Sequence, residues 1–107
     1  MLTAALGMLV SIGMAAQTTT GTCWGVVQDT SQHPLSGVEV TLTNSESGKA
    51  YKALSNGSGE YRLGLSPGTY ELIAKLPGFV SSKKPRVQIK GNKTTKLNLR
   101  LVAGRFD

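Results

Sequence analysis

One cysteine, one histidine and six aromatic residues are all that this 107-residue chain holds of the side chains most used for catalysis and ligand anchoring. With Cys23 alone no internal disulfide can form, so the thiol is expected as a small buried hydrophobe, an intermolecular bridge being the lesser alternative. His33 lies in Thr30-Ser31-Gln32-His33-Pro34, a polar stretch ending in proline that reads as a turn. Nothing in the sequence sets it beside Cys23, so a Cys/His nucleophile pair is not expected. Zinc catalysis generally takes three protein ligands, and one His, one Cys and six carboxylates show no ligand spacing. The Gly-x-Gly of Asn56-Gly57-Ser58-Gly59 leads into a strand, so it offers no helix N-terminus to an anion. No catalytic, metal or cofactor role is expected. No apolar run reaches the roughly 18 residues of a membrane span, glycine has no triplet period, and the aliphatic content is too high for a disordered chain. A core of this size is too small for a large buried active site.

The first stretch differs from the rest. Met1 to Gln17 carries no charge and mixes small with aliphatic residues. Its apolar length and the small residues Gly13, Ala15 and Ala16 fit a secretory signal cleaved after Ala15 or Ala16, although no Lys or Arg precedes it. The expected organisation is a signal peptide over 1–16, one domain over 21–102 and a short C-terminal tail over 103–107. The chain is then exported: periplasmic, outer-membrane-associated or secreted, with no transmembrane span after cleavage.

Beyond the signal, period-2 alternation is broken by turn residues about every ten positions, which is the pattern of an all-β domain. Strands are predicted over Thr22–Gln28, Val38–Thr43, Ala50–Leu54, Glu60–Leu65, Thr69–Leu76, Arg86–Lys90 and Thr95–Val102. Residues two apart share a face, so Val38, Val40 and Leu42 should point inward, as should Tyr70, Leu72 and Ala74. Leu97, Leu99 and Leu101 should do the same, leaving Lys96, Asn98 and Arg100 in solvent. Asn56 suits a turn by bonding its own backbone two residues on, and Pro67-Gly68 suits the centre of a type II turn. Tyr61, Tyr70 and Phe79 are expected in the core.

Five segments then occur in order: Gly25-Val26-Val27-Gln28-Asp29, Pro34 through Leu42, Ser55-Asn56-Gly57-Ser58-Gly59-Glu60-Tyr61, Leu65 through Leu72, and Gly78-Phe79. Together they resemble the carboxypeptidase regulatory-like domain family, with its G-x-V-x-D, P-x-x-G-x-x-V-x-L and L-x-P-G-x-Y patterns. The resemblance covers about Gly21 to Leu101. It implies a seven-stranded Greek-key β-sandwich of transthyretin-like, carbohydrate-binding-like type. It implies no catalysis, because zinc chemistry in such carboxypeptidases resides in a separate domain. A related adhesin fold forms Lys-to-Asn isopeptide bonds, but its catalytic Glu would fall at Ala74 and the first strand has no Lys.

Charge is the remaining clue. From Lys83 onward eight basic residues face Asp107 alone, a balance of +7, while the rest of the chain nets −1, giving the overall +6. If the last two predicted strands form a hairpin, Arg86, Lys90, Lys96 and Arg100 share an outward basic face that attracts anions, unless it is simply a solvated face whose lysines guard strand edges. Alternation sets Trp24 with Val26, opposite Cys23, Gly25 and Val27; the G-x-V-x-D pattern of the family it resembles implies that the latter set is the core, which puts Trp24 on the outer surface, where it could stack on a sugar ring or pack beneath a loop or a neighbouring chain. Trp24, Arg86, Lys90, Lys96 and Arg100 are therefore the candidate contact residues. The partners they suit are a polysaccharide, an anionic cell-surface component or another protein; nucleic acid is not expected, since the basic segment lacks interleaved aromatics. The leading reading is a non-catalytic exported module for recognition or structural support at the cell surface. The alternatives are a carbohydrate-binding domain using Trp24 or the basic hairpin, and an accessory domain of a TonB-dependent outer-membrane receptor system.

Overall fold

A computed structural model describes residues 19–104, so the signal peptide expected over 1–16 lies outside the described residues. The described chain is all β: β1 Gly21–Gln28, β2 Glu39–Asn44, β3 Ala50–Leu54, β4 Glu60–Leu65, β5 Gly68–Lys75, β6 Phe79–Val80, β7 Ser82–Ile89, β8 Thr94–Lys96, β9 Leu99–Arg100 and β10 Val102–Ala103. One sheet has the order β4-β1-β8, with β9 continuing beside β1; the other has the order β3-β2-β5-β7. β6 and β10 form a separate two-stranded ribbon.

The alternation sorts the faces as expected. Val38, Val40, Leu42, Tyr70, Leu72 and Ala74 are fully buried, and Cys23, Val27, Tyr61, Leu65, Leu99 and Leu101 meet them from the other sheet. Phe79 packs against this core from its edge. Each large aliphatic side chain buried here contributes about 1.5–3 kcal/mol, and a one-residue slip of any of these strands would turn its apolar set outward.

The strand count departs from the sequence expectation, and β7 begins at Ser82 rather than at Arg86. The last predicted strand, Thr95–Val102, is three pieces, because the Leu97 peptide leaves the ladder. β8 and β9 both run parallel to β1, pairing Trp24 with Lys96 and Val27 with Leu99. Between these pairs the Leu97 carbonyl turns inward and accepts a bond from the Tyr61 hydroxyl at 2.5 Å. The Val26 N–H, left without that carbonyl, is met at 3.1 Å by the Asn98 side-chain oxygen. A Cβ on Gly25 would collide with the Leu97 carbonyl, so this crossing needs glycine because of close approach. At the start of the expected tail, Ala103 pairs with Phe79 in the ribbon, and the Gly104 N–H donates to the Gly78 carbonyl at 2.8 Å. Pro67-Gly68 is not a type II turn, since Gly68 has φ 157° and opens β5 beside the Asn44 side chain.

The turns that frame the sandwich are held by side chains. Asn56 Oδ1 accepts from the N–H of Ser58 at 2.9 Å and of Glu60 at 3.0 Å, and Gly59 completes this turn at φ 78°, a conformation glycine adopts without strain. Buried Ser55 accepts from the Val38 N–H at 2.9 Å and donates to the Leu35 carbonyl at 2.7 Å, fixing the loop before β2 to the end of β3. Asp29 Oδ1 accepts from the N–H groups of Ser31 and His33 at 2.8 and 2.9 Å.

Candidate functional site

β7 and β8 lie in different sheets, so the basic hairpin expected from the sequence does not exist. The connection from Lys90 to Lys93 carries the chain across the sandwich: the Asn92 N–H donates to the Thr20 carbonyl at 2.9 Å and the Lys93 carbonyl accepts from the Thr22 N–H at 3.0 Å. Arg86 and Lys90 are exposed on one sheet, Lys96 and Arg100 on the other. Arg86 sits at φ 62°, in the irregular stretch where the β5–β7 register shifts between Tyr70 and Leu72. It lines a shallow cleft that also contains Glu71. Lys84 instead shares a cleft with Arg100 and Gln28 at the sandwich edge.

Trp24 is half-buried on the outer face of β1, opposite the buried phase of Cys23, Gly25 and Val27. Its neighbours could not be read locally. In register it stands between Arg62 of β4 and Lys96 of β8, and the Lys96 ammonium lies 5.0 Å from the indole centroid. On the β4 side an open cleft of about 340 Å³ is lined by Trp24, Leu54, Asn56, Glu60, Tyr61 and Arg62. Leu54 is 66% exposed and gives that cleft an apolar ledge. Along β9, exposed Arg100 pairs with Gln28, continuing the outward phase of Lys96 and Asn98. The outer face of this sheet therefore gathers an indole, three cations and one carboxylate, Glu60. Sequence reasoning missed Arg62: its outward phase was visible in β4, but the pairing that sets it beside Trp24 was not.

The groups with chemical potential elsewhere are occupied by the fold. Cys23 is fully buried with its Sγ 4.0 Å from the Tyr61 hydroxyl, and burial raises its pKa, with the Tyr61 contact opposing. A thiol so placed is a poor nucleophile. Burial likewise pushes the Tyr61 hydroxyl far above its ordinary range, and the neighbouring Cys23 adds to this. The His33 ring pairs with Asp29 at 3.4 Å in the turn after β1. Among the described residues no three of His, Cys, Asp and Glu gather as a metal site would require, and no helix is long and apolar enough to cross a membrane.

Solved structures share this fold at low sequence identity. The minor pilin GBS52 of Streptococcus agalactiae matches with TM-score 0.62 and 18% identity, over 84% of this chain and 47% of the pilin. A candidate carbohydrate-binding protein of Bacteroides uniformis matches with TM-score 0.62 and 13% identity, over 77% of this chain and 41% of that one. The dioxygenase domain of a dioxygenase and carbohydrate-binding fusion from Streptomyces sp. SirexAA-E matches with TM-score 0.64 and 12% identity, over 84% of both chains. The chain thus spans less than half of the pilin and of the Bacteroides protein, and these three likenesses establish the sandwich alone. A comparison with curated proteins finds no match. The sequence model of the carboxypeptidase regulatory-like domain matches residues 22–102, nearly all of the described chain and every segment that carries the motifs. This chain belongs to the carboxypeptidase regulatory-like domain family.

Proposed function

We propose that this protein is a non-catalytic exported recognition module, working at the cell surface, whose contact surface is the outer face of the β4-β1-β8 sheet and whose ligand is carbohydrate. The observation that carries the reading is Trp24, a half-buried indole between two cationic side chains and beside an open cleft. An indole on a rigid strand presents a broad apolar plane with little conformational entropy to lose, which suits it to the apolar side of a pyranose ring. The fold is shared with a candidate carbohydrate-binding protein, and the family is named for a regulatory-like domain. Both agree with a binding role. The uncharged leader over residues 1–16 supports export.

The test is a glycan array probed with the purified chain and with Trp24→Ala, whose fold is checked by circular dichroism. Binding at physiological salt that is lost in the variant is the expected result. Absence of glycan binding, or binding indifferent to Trp24, would overturn the reading in favour of a structural module.

A further inference from the structure

We infer that the glycan held by the Trp24 face is acidic, a polysaccharide bearing uronate carboxylates, and that Lys96 is the side chain that selects it over a neutral one. This rests on the reading of Trp24 as a sugar platform and adds the class of sugar.

The argument begins with what already occupies the indole. The Lys96 ammonium sits 5.0 Å from the ring centroid, so a sugar cannot lie flat on that side of the ring without moving the cation away. A neutral sugar has nothing to offer the displaced ammonium, and its binding is reduced by the lost cation–π contact. A uronate offers its carboxylate as a new partner. The same cation therefore opposes the wrong ligand and holds the right one, which is how specificity arises as a difference between two affinities.

The spacing of the other charges fits a chain molecule. Arg62 and Lys96 flank Trp24 on the two adjacent strands, about 10 Å apart by two strand spacings. That is about the length of two pyranose units, so a sugar on the indole can have charged neighbours over both side chains. Arg62 presents a planar guanidinium suited to bidentate contact with a carboxylate. Arg100, farther along β9 on the same outward phase, extends the cationic track. Glu60 is the one carboxylate on the face and lies beside Arg62 in the cleft, so the positive charge concentrates on the β8–β9 side. Arg86 and Lys90, in the other sheet, take no part.

The experiment measures binding of three uronate polysaccharides, alginate, polygalacturonate and hyaluronan, each beside its carboxyl-esterified form, at physiological salt, with dextran sulfate as a sulfate control. The chain is compared with Trp24→Ala, Lys96→Met and Arg62→Gln, all at outward positions and all checked for fold by near-ultraviolet circular dichroism. At least one uronate should bind about tenfold more tightly than its ester, the scale of two exposed ion pairs together, the cation–π contact being lost to both. Trp24→Ala should abolish that binding, and Lys96→Met should bring acid and ester close together by weakening the acid and strengthening the ester. Equal binding of acid and ester, both dependent on Trp24, would overturn the inference and leave the Trp24 reading standing. Tighter binding of dextran sulfate than of every uronate would also overturn it. Failure of all these glycans to bind would overturn the inference and leave the Trp24 reading to the glycan array, whereas binding that persists in Trp24→Ala would remove both.

Discussion

In the β3-β2-β5-β7 sheet, strands are joined by antiparallel ladders with a single irregularity, between Tyr70 and Leu72. In the β4-β1-β8 sheet, one side of β1 is paired in parallel with two short pieces, and the gap between them is closed by the Tyr61 hydroxyl and the Asn98 side chain. The first sheet is specified by alternation and needs only that its inward residues be apolar. The second depends on particular residues at Gly25, Tyr61 and Asn98, and it is the one that carries Trp24 and its cations. A ladder tolerates substitution because any residue but proline can supply its bonds; a side-chain bond does not.

That contrast can be broken most forcefully at Gly25. Gly25→Ala should destabilise the domain by more than about 4 kcal/mol, or prevent folding, because the Leu97 carbonyl occupies the space of a Cβ. Gly64→Ala, on neighbouring β4 with nothing near its missing Cβ, should change stability by less than about 1 kcal/mol, so urea midpoints of the two variants measure the closeness of the β1 crossing. Next comes Tyr61→Phe, which strips the inward Leu97 carbonyl of its donor and should cost about 1–3 kcal/mol. Its counterpart Tyr70→Phe loses a bond to the Ser66 carbonyl at 2.7 Å, but Ser66 is exposed and water can replace the hydroxyl. Equal losses in the two variants would erase the distinction between the sheets. Asn98→Ala should cost about 0.5–1.5 kcal/mol, at the lower end because Asn98 is exposed. Native-state hydrogen exchange at the Val26 amide should speed up in the same variant.

The smallest effect concerns the turn after β1. The backbone N–H of His33 holds the Asp29 carboxyl below its ordinary pKa, with Ser31 and the His33 ring assisting and burial opposing. A carboxylate lowered in the folded state adds stability above its unfolded pKa of about 3.9 and loses it as pH falls through the folded value. Asp29→Asn should therefore be less stable than the parent at neutral pH, with the two urea midpoints converging as pH falls below the unfolded value of about 3.9 and through the lower folded one.

The sequence made the inward set legible because burial acts on every second residue and needs no knowledge of which strands meet. Val38, Val40, Leu42, Leu99 and Leu101 were placed by that rule alone. The same rule put Trp24 on the outside only once the family's G-x-V-x-D pattern said which phase of β1 is the core. It could not supply Arg62, since partnership between β1 and β4 is a property of the whole sheet. Nor could it separate Arg86 and Lys90 from Lys96 and Arg100, because a turn such as Gly91-Asn92 can close a hairpin or lead from one sheet to the other. The choice is made by contacts with Thr20 and Thr22 at the far end of the described chain. The three-piece ending was equally hidden, as it follows from one hydroxyl in β4 drawing one peptide inward.

The parallel pairing of β1 with β8 and β9 also governs the order of events in time. Val26 waits for Asn98, 72 positions later, so the first strand is satisfied on this side only when nearly the whole domain is available. Contacts of such separation slow folding, because a long loop must close before they form. In a nascent chain of this kind this side of β1 stays unpaired until the last strands emerge.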